Sequence, residues 1–132
     1  MPDKDYSHRL LIDKLGVKPG ARVCWTGIDD PLFLDQVADR TENRFADRLE
    51  CDCDVVLVGV EDQAGLARIT EGKACLKPAG GLWVVYPKGV KHVTQAHVMQ
   101  FGLAAGLVDN KVASFSATHS AMRFVFRRAD RA

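Results

Sequence analysis

Three polar segments of this 132-residue chain carry residue types that could do chemistry, and each follows an apolar run. They are Thr26–Asp30, Glu61-Asp62 and Lys88–His92. Carboxylates bind cations and hydroxyl groups, and histidine has an unperturbed pKa that allows proton transfer near neutral pH. The candidate ligand-binding residues are therefore Thr26, Gly27, Asp29, Asp30, Glu61, Asp62, Lys88 and His92.

Each candidate also has a purely structural interpretation. Asp30 suits a helix N-cap, and Glu61 and Asp62 suit the first turn of a helix, where the macrodipole favours negative charge. The lysines of the third segment are typical of solvent-exposed positions. A lone histidine such as His92 is more often structural or solvated than catalytic. We favour the structural interpretation for Asp30 and for His92.

No established catalytic pattern appears in the sequence, and its four histidines are scattered. Cys51 and Cys53 form a close pair, but no second pair or histidine cluster completes a zinc site, so we predict no metal centre. Cys24 and Cys75 lie in apolar surroundings and are interpreted as small core residues. The catalytic residues are left unassigned, and the motifs do not decide whether the chain is an enzyme.

Composition narrows the class of protein. Hydrophobic residues make up 47% and charged residues 27%, which is ordinary for a globular protein, and we expect residues 1–132 to form one domain. The net charge of +1 does not indicate nucleic-acid or membrane binding. No stretch approaches the roughly 20 apolar residues of a membrane span, and no apolar core of a signal peptide precedes the first helix. We therefore expect a cytoplasmic protein.

Two apolar runs predict the central strands. Val55–Val58 and Leu82–Tyr86 are continuous rather than alternating, which is typical of parallel strands covered by helices on both faces. A helix between them makes one βαβ unit, and such a unit takes a right-handed crossover. Trp83 and Tyr86 are interpreted as core residues rather than as a stacking platform for a ligand.

The connecting helix of this unit is predicted from spacing. It starts near the acidic pair at positions 61 and 62, and Leu66, Ile69 and Leu76 fall on roughly one face. Pro78 is predicted to stop the helix, and Gly80-Gly81 to allow a tight reversal into the second strand.

The remaining pattern alternates helices and strands until the last pair. Helices are predicted over Tyr6–Leu15 with Ser7 as N-cap, from Pro31 to about Asp39, and over Val93–Ala105; strands are predicted over Ala21–Trp25, Asn43–Ala46, Leu107–Phe115 and Ala121–Arg128. The inward-facing residues of the first two helices are predicted to be Leu10, Leu11, Leu15, Leu32, Phe33, Leu34 and Val37. The third helix carries a mixed set of apolar residues, Val93, Val98, Phe101 and Ala105. The last two strands are joined by so short a link that they form an antiparallel hairpin. Together, these helices and strands predict a doubly wound α/β fold with a mostly parallel sheet.

This pattern resembles a known family over Cys53–Arg128. The runs VVLV, LKPAGG, LWVVYP, GLVDNKV and MRFVFRR are similar to the middle and end of class I S-adenosylmethionine-dependent methyltransferases. The resemblance implies a three-layer, Rossmann-like fold that ends in an antiparallel hairpin.

A closer resemblance is to a small bacterial family described only as a domain of unknown function. The matching pieces are Tyr6-Ser7, Lys14–Gly20, Leu76–Lys88 and Gly106–Val112. The chain departs at His119-Ser120-Ala121-Met122, where that family has Trp-Ser-Gly-Leu. This resemblance implies a methyltransferase-like fold and no established activity.

The methyl-donor site of the large family needs a Gly-rich loop after the first strand and an acidic residue after the second. Here the loop has one glycine, Gly27, and residues 26–53 leave room for only one helix and one short edge strand. Asp47 could stand at the end of that edge strand, and Asp29 or Asp30 could contact a ligand instead. The resemblance thus implies S-adenosylmethionine as the cofactor, but this chain lacks the Gly-rich loop that usually binds it.

Three functions remain open, and any site should lie at the carboxyl ends of the strands. We favour a non-catalytic or regulatory module that binds a small ligand or a protein partner. The first alternative is a minimal methyltransferase that uses Asp29, Asp30, Glu61 and His92. The second is a structural homodimer that pairs through the final strand, in which phenylalanines alternate with arginines. That strand is expected near a sheet edge, and exposed edges invite pairing, although flanking arginines discourage it.

Overall fold

The computed structural model describes residues 10–131. In chain order its elements are α1 (Leu11–Lys14), β1 (Val23–Thr26), α2 (Pro31–Arg40), β2 (Arg44–Phe45), β3 (Cys53–Gly59), α3 (Arg68–Lys73), β4 (Leu76–Pro87), α4 (Gln95–Ala104), β5 (Leu107–Ser114) and β6 (His119–Phe126). The predicted cap at Ser7 and the first turn of its helix lie outside the described residues. Between residues 10 and 131, no helix is both long and apolar enough to cross a membrane.

All six strands form one sheet in the order β2-β1-β3-β4-β6-β5. The first four are parallel, and β6 runs antiparallel to both β4 and β5. The predicted βαβ unit is confirmed, since Val56 pairs with Leu82 and Val58 with Val84 in parallel register. The fold class, a mostly parallel α/β sheet with a C-terminal antiparallel hairpin, is confirmed as well.

Helices cover both faces of the sheet, and each face has its own apolar core. Side chains of α1 and α2 pack on one face with Val23, Trp25 and Trp83, whereas those of α3 and α4 pack on the other with Cys24 and Tyr86. Neighbouring residues of β1 therefore enter opposite cores, as the alternation of a strand requires. Trp83 and Tyr86 are both buried, which confirms that they belong to the core.

The connecting helix is shorter than predicted. It ends at Lys73, and Leu76 is not on its face but is the first residue of β4, where it pairs with Cys53. Pro78 and Gly80-Gly81 lie inside β4 instead of forming a stop and a reversal. Proline cannot donate to a strand ladder, and the register of β3 and β4 shifts between Leu76 and Gly81 to accommodate it.

Some predicted inward residues face outward. Leu10 and Leu32 are 49% and 56% exposed, so these two predictions are wrong. Phe101 of α4 is also exposed, at 43%. In α4 the reason is Gly102, where a Cβ would lie 2.6 Å from Cδ1 of Phe124. Only a residue without a side chain fits under that ring, so the helix turns its glycine to the sheet and Phe101 to the outside.

The final strand is not at a sheet edge. β6 lies between β4 and β5 and is paired on both sides, and the edge strands are β2 and β5. The premise of the homodimer hypothesis is therefore wrong. Alternating apolar and charged side chains indicate which face of a strand is buried. They do not indicate whether other strands pair with it on one side or on both.

The cysteines differ in exposure. Cys24 and Cys53 are buried, Cys75 is half-buried and Cys51 is exposed. Burial, followed by the neighbouring Cys24 thiol, raises the pKa of Cys53 to about 12. Within the described part of the chain, no group of three or more histidine, cysteine or acidic side chains could hold a metal ion.

These thiols should react at different rates. Because only a thiolate attacks a disulfide reagent, we expect Cys51 to react with Ellman's reagent at pH 8 more than about 100-fold faster than Cys53. In a Cys51→Ser variant the fast phase should vanish, the half-buried Cys75 should react at an intermediate rate, and the buried Cys24 and Cys53 should react only as urea unfolds the chain. Equal rates for both thiols in the native protein would contradict the burial of Cys53.

Candidate ligand-binding site

The carboxyl ends of β1, β3 and β4 meet at one edge of the sheet, beside the link between β5 and β6. There they surround a cavity of about 400 Å³, which we call the edge cavity. Its lining residues are Gly27, Ile28, Asp29, Asp30, Pro31, Glu61, Val85, Phe115, Ser116, Thr118 and His119. Open α/β sheets bind ligands at this edge, so the cavity lies where the strand order predicts a site.

The loop after β1 packs directly on the end of β3. Gly27 has a φ of 72°, and a Cβ on it would lie 3.2 Å from the carbonyl oxygen of Gly59. A Cβ on Gly59 would overlap the carbonyl oxygen of Gly27. The Arg68 guanidinium fills the space beside both glycines and donates to the Gly59 carbonyl. Gly27 of the loop and Gly59 of β3 thus allow a backbone contact that forms one wall of the site.

Two aspartates enter the edge cavity from this loop. Asp30 accepts a hydrogen bond from the backbone N–H of Phe33 at 2.9 Å, so its predicted role as N-cap of α2 is confirmed. Asp29 precedes it and also lines the cavity. Where the methyltransferase loop would carry further glycines, this chain therefore places carboxylates on the cavity wall.

An acid–histidine pair forms the opposite wall. Glu61 Oε2 lies 2.8 Å from His119 Nε2, and His119 Nδ1 lies 2.8 Å from Thr118 Oγ1. With Glu61 ionised, Nε2 donates to the carboxylate and Nδ1 accepts from the threonine hydroxyl. The two contacts hold the imidazole in one orientation, which is how a carboxylate prepares a histidine for proton transfer. His119 is 25% exposed at its side chain and Glu61 60%, so a ligand can reach both.

His119 was absent from the candidates that the sequence predicted. It is separated from Glu61 by 58 positions, and hydrophobic periodicity cannot bring two such residues together. One signal did mark it: His119 replaces a tryptophan at the point where the chain departs from the bacterial family it resembles.

Several predicted site residues do not line the edge cavity. His92 Nε2 instead meets the backbone oxygen of Glu61 at 3.1 Å, and Lys88 donates to Ser114 Oγ at 2.9 Å. Asp62 accepts from the N–H of Gly65 at 2.9 Å, which is a local turn contact. Thr26 is the last residue of β1 and is not among the lining residues. The predicted residues that the structure brings together are thus Gly27, Asp29, Asp30 and Glu61.

Asp47 does not line the cavity either. It lies just beyond the two-residue strand β2, with a φ of 57°, in a turn that returns the chain so that Arg48 bridges Trp25 of β1. Asp47, the acidic residue expected after the second strand, therefore lies outside the edge cavity.

Comparison with known proteins adds to this geometry. No family model matches the chain, and no curated protein does. Among solved structures, a methyltransferase from Aquifex aeolicus described as SAM dependent is 12% identical, with a TM-score of 0.66 over 92% of this chain and 93% of its own. Magnesium protoporphyrin IX methyltransferase from Synechocystis, solved with bound SAM, is 13% identical, with a TM-score of 0.68 over 89% and 74%. A fibrillarin from Methanococcus jannaschii is 11% identical, with a TM-score of 0.63 over 83% and 68%.

The fold is that of the class I S-adenosylmethionine-dependent methyltransferases. Against this methyltransferase fold the chain has a reduced first half, because β2 spans two residues and the chain passes from it to β3 without another strand. Its second half, from β3 to the final hairpin, keeps the strands and helices that the resemblance implied.

Proposed function

We propose that this chain binds S-adenosylmethionine in the edge cavity and is a minimal methyltransferase. The observation that carries the proposal is the acid-lined cavity at the carboxyl edge of a methyltransferase fold. The methyl donor carries a sulfonium and an ammonium group together with one carboxylate, so one positive charge remains in excess. Carboxylates at Asp29 and Glu61 complement both positive charges.

The residues present fit the donor in size and in character. A volume of about 400 Å³ is within the ~300–1,000 Å³ range of small-molecule sites. Ile28, Val85 and Phe115 give the cavity apolar walls, and Gly27 lines it beside the Arg68 guanidinium. Gly27, Asp29 and Glu61 would hold the donor, which supplies the methyl group when bound.

His119 is the proposed base. Glu61 holds Nε2–H, so Nδ1 is the nitrogen that can take a proton. An acceptor hydroxyl or amine that replaces the Thr118 hydroxyl at Nδ1 would lose its proton there and become the better nucleophile. Glu61 then stabilises the imidazolium that results.

A non-catalytic binding module is the second candidate, and a specific observation favours it. The β1 loop has one glycine, and Arg68 fills the space beside it and Gly59. A cavity of about 400 Å³ suits one ligand and leaves no separate place for a methyl acceptor. In this case the domain would bind a small cationic molecule or a protein partner without chemistry.

Calorimetric titration tests the donor site, which the minimal methyltransferase requires. We expect S-adenosylmethionine and its demethylated product to bind with micromolar affinity. Glu61→Gln and Asp29→Asn should each weaken binding about tenfold, or about 1.4 kcal/mol, because each removes one charge from the cavity wall.

Matched controls are Glu42→Gln and Asp35→Asn, which make the same chemical changes at exposed positions outside the cavity. His119→Ala should retain most donor binding, and it should lose methyl transfer once an acceptor is known. Absence of binding of both compounds at millimolar concentration would refute the donor site and favour the non-catalytic module.

A further inference from the structure

A second cavity lies at the opposite edge of the sheet, where the parallel strands begin. Its volume is about 560 Å³, and we call it the amino-edge cleft. The loop after α1 forms one wall, and the first residues of β3 and β4 together with Arg123 of β6 form the other. Its charged lining residues are Lys18, Asp54, Lys77 and Arg123.

The single carboxylate in the charged lining of this cleft is used by the chain itself. Asp54 Oδ2 accepts from the backbone N–H of Arg22 at 2.9 Å, and Oδ1 accepts from Lys77 Nζ at 3.0 Å. Burial alone would raise the pKa of Asp54, but these two donors outweigh it and the pKa is lowered. Asp54 is therefore ionised at neutral pH, and it holds the Lys77 ammonium at the cleft wall.

The guanidinium of Arg123 occupies space that is free because Gly81 has no side chain. It lies against Gly81 of β4, where a Cβ would come within 2.6 Å of Nη2. Arg123 is half-buried, and among residues 10–131 its side chain has no hydrogen-bond acceptor or salt-bridge partner. Burial, with the nearby charge of Arg131 second, lowers its pKa. Among the described residues no side-chain nitrogen is buried without a partner, so the unpaired donors of Arg123 reach the solvent of the cleft and are available to an anion.

The loop wall of the cleft is also anchored. Trp83 Nε1 donates to the Leu15 carbonyl at 2.9 Å, which ties the start of the loop to the sheet. Gly16 and Gly20 both have positive φ, and a Cβ on either would meet open space. The loop therefore contributes Lys18 and glycine backbone without side chains to the lining of the cleft, which also includes Arg123.

We propose that the amino-edge cleft binds a small anion that carries a phosphate group, with Arg123 as its main contact and Lys18 and Lys77 on either side. The guanidinium fork matches two phosphate oxygens, and the Lys18 ammonium complements the remaining charge, while Asp54 neutralises Lys77 in part. The volume admits a sugar phosphate or a nucleotide. This site lies at the other end of the strands from the edge cavity and does not depend on the function proposed there.

Titration calorimetry with inorganic phosphate, pyrophosphate and ribose 5-phosphate tests the proposal, with ribose as the uncharged probe. We expect the phosphate compounds to bind and ribose not to bind, with affinity that falls as salt is raised. Stronger binding of ribose 5-phosphate than of inorganic phosphate would assign an organic ester, and the reverse order would assign the free ion. Arg123→Gln should weaken binding at least about tenfold, the loss expected for a charge-assisted hydrogen-bond pair.

Arg127→Gln is the matched control, because it removes the same charge at an exposed position that does not line the cleft. Arg123→Lys keeps the charge but loses the fork, so it should bind with intermediate affinity and reports on the site if the glutamine variant is poorly folded. Glu61→Gln should bind phosphate as the unmodified protein does, which separates this site from the proposed donor site. No phosphate binding at about 10 mM, or equal binding in the Arg123 and Arg127 variants, would overturn the proposal.

Discussion

Replacing Gly59 with alanine is expected to destabilise the fold by about 2–3 kcal/mol and to remove ligand binding in the edge cavity. The new Cβ would overlap the Gly27 carbonyl oxygen and lie 2.8 Å from the carbonyl carbon. Both are backbone atoms, so the β1 loop must move away from β3, and overpacking of this kind costs about 1–3 kcal/mol. The displaced loop carries Asp29 and Asp30, so the cavity would lose two of its carboxylates. Urea unfolding gives the first quantity, and calorimetric titration with S-adenosylmethionine gives the second.

Gly65→Ala is the control for this prediction. A Cβ there would lie 3.4 Å from its nearest neighbours, which is ordinary contact, so the change tests the loss of glycine without a clash. We expect the free energy of unfolding to change by less than about 1 kcal/mol. If the Gly59 and Gly65 variants unfold at the same urea concentration, the close approach of the β1 loop and β3 is not required by the fold.

Replacing Trp83 with alanine is expected to have the largest effect on stability, about 3–5 kcal/mol. Trp83 is fully buried in the middle of β4, in the core under α1 and α2. Its removal leaves a large cavity and also leaves the Leu15 carbonyl without its indole donor. Since that hydrogen bond ties the loop to the sheet, phosphate binding in the amino-edge cleft should weaken in parallel. Thermal unfolding and titration with pyrophosphate measure the two effects.

Trp83→Phe separates packing from hydrogen bonding. The ring is largely kept and the N–H is lost, so we expect a smaller loss of stability, about 1–3 kcal/mol. Phe101→Ala is the surface control, because Phe101 is 43% exposed and should contribute little. A Trp83→Ala variant as stable as the Phe101→Ala variant would contradict the central position of this side chain.

Much of the fold was predictable because its signals are local. Continuous apolar runs marked β3 and β4, Asp30 before Pro31 marked the start of α2, and the short link marked the final hairpin. The errors fell where a local signal has two meanings. A pair such as Gly80-Gly81 is typical of a turn, but also of a position where another group packs against the backbone. Here Gly81 makes room for the guanidinium of Arg123, which is distant in sequence.

The candidate site was predictable only in part. Residues that follow closely on a buried strand had to reach the carboxyl edge, and Asp29 and Glu61, which were predicted there, line the edge cavity. Asp62, Lys88 and His92 met the same condition but face local partners such as Gly65 and Ser114. A position after a strand specifies the edge that a residue reaches, and it leaves open where the side chain points.

The amino-acid sequence was enough for the parallel order of β3 and β4 and for the edge at which a site should lie, since both follow from apolar periodicity along one stretch of chain. The tertiary structure alone decided that His119 meets Glu61 and that Arg123 lies against Gly81. Each of these pairs joins residues from separate strands. Their distances depend on the order and register in which the sheet assembles, and no pattern within a single segment encodes that register.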